Sequence, residues 1–262
     1  MNTLTRYQLE ELPWNSKYAH PSDVPVEPIL DEVPRLVDVP FIRRGRRYPL
    51  FYCWSEVIKS VGTGNYRVLD AACGRGLISQ VLFFKGHEVH ACDVEDHFKG
   101  DSKIDFRQLD LNKRMPYRDH YFDVVINCEG LQYLDYSRAF IAEAARVIRP
   151  GGRLILSVPN IQSYMGRIEF FRSSRLLGYG EIFHRHNIIY WPFLKNSLES
   201  ACFRVTSIRG NIPLLTKKLR ILRYFIGRCM ATEGNLAMEY AHSIIITAVR
   251  TAENKDKGHR GH

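Results

Sequence analysis

Apolar and polar positions along this chain follow two rhythms, one of period near 3.6 and one of period two, and from Leu50 onward they alternate. Leu50 to Val61 has helical spacing and ends near Gly62 and Gly64. Tyr66 to Ala71 is apolar and β-compatible, and Leu77 to Phe84 is a helical segment stopped by Gly86. His87 to Cys92, Ile104 to Leu109 and Phe122 to Ile126 each read as strands. Ser137 to Ile148 is spaced as a helix, closed by Pro150-Gly151-Gly152, after which Arg153 to Val158 reads as a buried strand. Repeated strand–helix alternation predicts an α/β fold with a parallel sheet covered by helices on both faces.

The ends and two internal stretches depart from this rhythm. Residues 1–48 contain Pro13, Pro21, Pro25, Pro28, Pro34 and Pro40 with little periodic pattern, and are expected to form an arm on the main domain, which spans 49–250. Phe193 to Ala201 is helix-like; Phe203 to Ile208 and Ser243 to Val249 are strand-like. Between those last two, within an insert at 211–240, Leu214 to Met230 reads as a basic amphipathic helix. A second insert, 161–190, carries Tyr164, Arg167, Arg172 and Arg175. The tail 251–262 is polar and expected to be disordered.

Composition narrows the setting. A length of 262 residues can bury a substantial core. No apolar run approaches the roughly 18 residues of a membrane span, and the first residues lack the apolar core of a secretory signal. The six cysteines, Cys53, Cys73, Cys92, Cys128, Cys202 and Cys229, include no Cys-x-x-Cys pair, which argues against a disulfide framework or a metal site and for a cytoplasmic protein. A net charge of +9 leaves nucleic acid, anionic lipid or an acidic substrate open as partners. Much of the excess is local, in Arg43-Arg44-Gly45-Arg46-Arg47 and Lys217-Lys218-Leu219-Arg220.

The candidate chemistry lies in Val68-Leu69-Asp70-Ala71-Ala72-Cys73-Gly74-Arg75-Gly76. A buried strand there breaks into a glycine-bearing turn and enters a helix, so the backbone can approach a ligand closely and the helix start offers free N–H groups. Asp93 follows at the end of the next strand, placed to hydrogen-bond a ribose diol. Ser79 stands where a dinucleotide fingerprint has its third glycine. The stretch resembles motif I of class I S-adenosylmethionine-dependent methyltransferases. The resemblance runs on through Asp110-Leu111, Met115-Pro116-Tyr117, Tyr121 to Val125 and Glu143-x-x-Arg146 to Gly152. It implies a Rossmann-like seven-stranded sheet, mostly parallel with an antiparallel last strand, and S-adenosyl-L-methionine as cofactor. The cofactor residues it implies are Asp70, Ala72, Gly74, Gly76, Asp93, Val94, Asp110, Leu111 and Asn127. Ala72 stands at a usual glycine, and Tyr133 stands where many relatives have histidine.

The segment Ser157-Val158-Pro159-Asn160 followed by Phe183-His184-Arg185-His186 resembles a subgroup that methylates sugars, glycan chains or lipid-linked acceptors. It implies His186 as the catalytic base for a hydroxyl acceptor, with His184 competing, and the insert 161–190 as a substrate lid. The expected function is O-methylation of a small molecule, sugar or lipid-linked glycan. An RNA methyltransferase and a catalytically inactive cofactor-binding protein are the alternatives. Nucleic acid is disfavoured, because no RNA-binding motif is appended and Asn127-Cys128-Glu129-Gly130 replaces an Asn-Pro-Pro-Tyr sequence. The basic helix 214–230 is compatible with an anionic membrane surface.

Overall fold

The computed structural model describes residues 49–173, 187–211, 234–241 and 243–252. The arm 1–48, residues 174–186 of the lid insert with His184 and His186, Leu214 to Met230 and the end of the tail lie outside the described residues.

The chain order is α1 (Pro49–Val61), β1 (Arg67–Ala71), α2 (Leu77–Phe84), β2 (Glu88–Asp93), β3 (Asp105–Gln108), β4 (Phe122–Cys128), α3 (Ser137–Val147) and β5 (Ile148–Pro159). There follow α4 (Tyr164–Ser173), α5 (Trp191–Ser200), β6 (Phe203–Asn211), α6 (Asn235–Tyr240) and β7 (Ser243–Arg250). They build one seven-stranded sheet in the order β3-β2-β1-β4-β5-β7-β6. The first five strands run parallel, with Val68 opposite Val89 on one side and Val124 on the other. β7 lies antiparallel to both β5 and β6, as the resemblance implies for the last strand.

Period-two alternation divides the core. Val68, Val124, Ile126 and Ile155 face one side, where Val57, Ile58 and Val61 of α1 and Val81 and Leu82 of α2 cover them. Leu69, Val125, Leu154 and Leu156 face the other, under Phe140, Ile141 and Ala144 of α3 and Leu194 and Leu198 of α5. Strands covered on both faces become near-continuous apolar runs, which is why β1, β4 and β5 are so legible in the sequence.

Three local features differ from the sequence reading. β5 begins at Ile148, before the Pro150-Gly151-Gly152 turn, because Ile148 already pairs with Phe122 and the chain bulges before Arg153 pairs with Val124. Gly152 fits there because any Cβ would lie 2.7 Å from the carbonyl oxygen of Asp123. Within the insert 161–190, Tyr164–Ser173 forms a helix of its own, and the short α6 precedes β7. Among the described residues no helix is long and apolar enough to cross a membrane.

Candidate cofactor cleft

The turn after β1 has a demanding backbone. Ala72, Gly74 and Gly76 all adopt left-handed φ, of 64°, 54° and 85°. Such a conformation costs an L-residue roughly 1–2 kcal/mol, so Ala72 stores strain that the surrounding contacts must hold. The N–H groups of Ala72 and Cys73 both donate to the carbonyl of Cys92 on β2, at 2.9 and 3.0 Å. The N–H of Gly74 donates to Asp93 Oδ2 at 2.8 Å. Asp93 therefore ties the turn of β1 to the end of β2 while its other oxygen stays directed to the loop at Glu95, 3.4 Å from that N–H.

This turn forms one wall of a cleft of about 370 Å³ at the carboxyl ends of β1, β2, β3 and β4. A ligand crevice is expected there, where connections to either side of β1 diverge. Asp70, Asp93, Val94, Asp110 and Leu111 line it, and so do Trp54, Glu129 and Tyr133. Asp110 Oδ1 accepts the N–H of Asn112 at 2.9 Å, which closes the turn that presents Leu111. Val94 is exposed and Leu111 buried, an apolar pair suited to a flat base.

Besides Asp93, two further carboxyls in this cleft, Asp70 and Glu129, are held without a cation among the described residues. Asp70 is 1% exposed and accepts Ser79 Oγ at 2.6 Å; burial pushes its pKa up to about 6. Glu129 sits in a left-handed conformation, φ 56°, and burial likewise raises its carboxyl above the usual range.

Of the residues predicted to bind cofactor, Asp70, Ala72, Gly74, Asp93, Val94, Asp110 and Leu111 come together on the cleft wall. Gly76 and Asn127 do not line it. Gly76 begins α2, where an added Cβ would lie 2.3 Å from the Phe98 ring. Asn127 is fully buried behind the cleft, its Nδ2 donating to the Ala71 carbonyl at 3.1 Å. Glu143 and Arg146 of the resemblance also lie away from the cleft. Arg146 bonds Glu143, Asp119 and the carbonyls of Met115 and Tyr117, and so fastens the loop before β4 onto α3. Glu129 and Trp54 were not among the predicted site residues. The positive φ of Glu129 leaves no local signal, and Trp54 fits an ordinary amphipathic helix.

Residues 69–156 match the family model of the methyltransferase domain. Over that stretch the chain matches a methyltransferase domain, carried on the seven-stranded sheet described above. Among curated proteins, it is 27% identical over 121 residues to the ubiquinone biosynthesis O-methyltransferase of Dechloromonas aromatica, covering 43% of this chain and 51% of that protein. The chain thus spans about half the length of the curated relatives it matches. Among solved structures, a methyltransferase from Thermotoga maritima superposes with a TM-score of 0.58 at 13% identity, over 84% of this chain and 99% of that one. One from Archaeoglobus fulgidus gives 0.56 at 18% identity, over 81% and 100%.

The residues present fit the methyltransferase cofactor. The cleft volume lies within the roughly 300–1,000 Å³ range of small-molecule sites. Among the described residues, and apart from its own chain neighbours, no atom comes within 4 Å of where a Gly74 Cβ would stand, so the turn leaves room for a ligand against its backbone. Asp93 and Asp110 would hold the nucleoside, and the buried carboxyls suit a molecule carrying positive charge.

Proposed function

We propose that this chain is an O-methyltransferase that moves the methyl group of S-adenosylmethionine to a hydroxyl of a small molecule, a sugar or a lipid-linked glycan. The observation that carries the reading is Asp93 at the end of β2, bonded to the Gly74 N–H and facing the same cleft as Asp110. The names of the curated relatives, ubiquinone biosynthesis O-methyltransferases, support oxygen as the receiving atom.

The bound cofactor supplies an electrophilic methyl on a good leaving group. The protein's work is then mainly alignment and exclusion of water, which can lower a barrier by roughly 7–11 kcal/mol. The strained Ala72–Gly76 turn and Asp93 fix one reactant. The segment after β4, from Glu129 through the 3-10 turn Leu131–Tyr133, shapes the wall where the acceptor would approach. Asn187 anchors the far end of the insert to that wall, its N–H donating to the Gln132 carbonyl at 2.8 Å. His186, one residue earlier, is our proposed base for the acceptor proton. The basic segment 214–230 is proposed as a contact for anionic lipid, checked by flotation with vesicles containing phosphatidylglycerol.

Calorimetry with S-adenosylmethionine tests the site. Asp93→Ala should weaken binding at least about 30-fold, since it removes hydrogen bonds to a charged acceptor at roughly 1.5–3 kcal/mol each; unchanged affinity would sink the assignment. Transfer of a radiolabelled methyl group into fractionated cell extract then locates the acceptor. Incorporation unaltered in His186→Ala removes that residue as the base.

A further inference from the structure

Glu129 is the first residue after β4, and elements far apart in sequence hold its side chain. Its N–H donates to the Ser157 carbonyl of β5 at 2.9 Å. Oε1 accepts Ser157 Oγ at 2.5 Å and Cys53 Sγ of α1 at 3.8 Å, and Oε2 accepts Gln132 Nε2 at 3.3 Å. The Ser243 hydroxyl of β7 donates to it as well. Every one of these donors is neutral. Several carboxylates elsewhere on the sheet or its loops have a basic partner: Glu56 has Lys59 and Arg209, Glu88 has Arg67, Glu143 has Arg146, and Asp123 has Arg149. Within the cleft Asp70 and Asp93 share with Glu129 the lack of one among the described residues, but Asp70 is tied to Ser79 and Asp93 to the Gly74 N–H. Among the described residues no basic side chain pairs with Glu129. Buried charges are ordinarily paired, because desolvating an ion costs several kcal/mol. A carboxyl held in a left-handed conformation on a cleft wall, cradled by neutral donors, is therefore arranged for a cation that arrives with a ligand.

The sheet order says which end of the ligand that is. Asp110 follows β3, Asp93 ends β2, the glycine turn follows β1 and Glu129 follows β4, and these strands are neighbours in the order β3-β2-β1-β4. Neighbouring strands lie about 4.8 Å apart, so the ends of β2 and β4 are separated by roughly 10 Å. A ligand with its base near β3 and its ribose at β2 crosses the turn of β1 and presents its other end at β4.

We propose that Glu129 is the anionic partner of the α-ammonium group at the methionyl end of the methyl donor. This rests on the reading of the cleft as an S-adenosylmethionine site.

The test is calorimetry on the full chain with S-adenosylmethionine, S-adenosylhomocysteine and 5′-methylthioadenosine, which keeps the nucleoside and thioether but lacks the amino-acid end. Glu129→Gln preserves the shape and removes the charge. It should weaken the first two ligands by about 10- to 100-fold, the worth of a charge-assisted hydrogen bond, and leave methylthioadenosine within about threefold. Equal affinity for all three, equal loss for all three, or loss for S-adenosylmethionine alone would each overturn the proposal. The second of these would make Glu129 a brace for the wall, and the third would move the charge to the sulfonium. Should Glu129→Gln fail to fold, Glu129→Asp withdraws the carboxylate by one methylene. The preference for S-adenosylhomocysteine over methylthioadenosine should then fall at least about threefold, and an unchanged preference overturns the proposal. A wild-type chain that binds none of the three ligands overturns the cofactor reading itself, an outcome distinct from the others.

Discussion

Replacement of Gly76 by alanine separates two explanations for a glycine in this turn, close approach to a ligand and close approach to another side chain. Gly76 has φ 85° and ψ 22°, and an added Cβ would lie 2.3 and 2.7 Å from ring atoms of Phe98. Phe98 has little freedom to retreat. It stacks on Phe106 with ring centroids 4.9 Å apart, and a Cβ on Gly100 would lie 2.3 Å from its far edge, so glycines flank the ring on two sides. The backbone conformation alone costs alanine roughly 1–2 kcal/mol. Displacing the ring forfeits an aromatic pair worth roughly 0.5–1.5 kcal/mol as well as some buried area. Gly76→Ala should therefore destabilise by about 2–3 kcal/mol, which for a domain of this size lowers Tm by roughly 4–12 °C. In a Phe98→Ala background the ring contribution disappears and the same substitution should cost only about 1–2 kcal/mol. Urea unfolding of the four proteins in this double-mutant cycle measures the coupling. An identical cost in both backgrounds would refute the steric argument and return Gly76 to the ligand.

Two further outcomes follow from the buried charges. Asp70 has its folded pKa raised to about 6 by burial, above its unfolded value, so the folded state binds the extra proton and the charged group destabilises as pH rises through that window. Asp70→Asn, which can still accept Ser79 Oγ, should gain stability on the wild type by about 2–3 kcal/mol between pH 4 and pH 7 in denaturant titrations; a constant difference across that range would show that Asp70 is not desolvated. Arg146→Ala strands Glu143 and frees the carbonyls of Met115 and Tyr117. It should cost about 3–5 kcal/mol in urea unfolding, and Arg146→Lys should restore little of this, because one ammonium cannot span that set of acceptors.

Features set by neighbours in the chain were legible in the sequence. β1, β4, β5 and β7 announce themselves because burial on both faces demands unbroken apolar runs, and the β1 turn does so because its backbone needs glycine or a strained substitute. Asp93 is legible because strand length alone places it at a carboxyl end. Features set by approach across the fold were not. Gly76 and Asn127 sit within the cofactor pattern, yet in the fold Gly76 packs against the Phe98 ring and Asn127 lies behind the cleft, donating to the Ala71 carbonyl. β5 starts early because Phe122, not the local glycines, pairs with Ile148.

By itself, then, the sequence determined the alternating α/β architecture, the glycine turn and the acid that waits beyond it, since each follows from residues within a few positions of one another. The tertiary structure alone decided the order β3-β2-β1-β4, and with it which carboxyls share one cleft. It also decided the setting of Glu129, whose donors come from positions 53, 132, 157 and 243 and meet only when the sheet closes. No local pattern encodes that meeting, because the cost of burying a charge depends on what surrounds it in space.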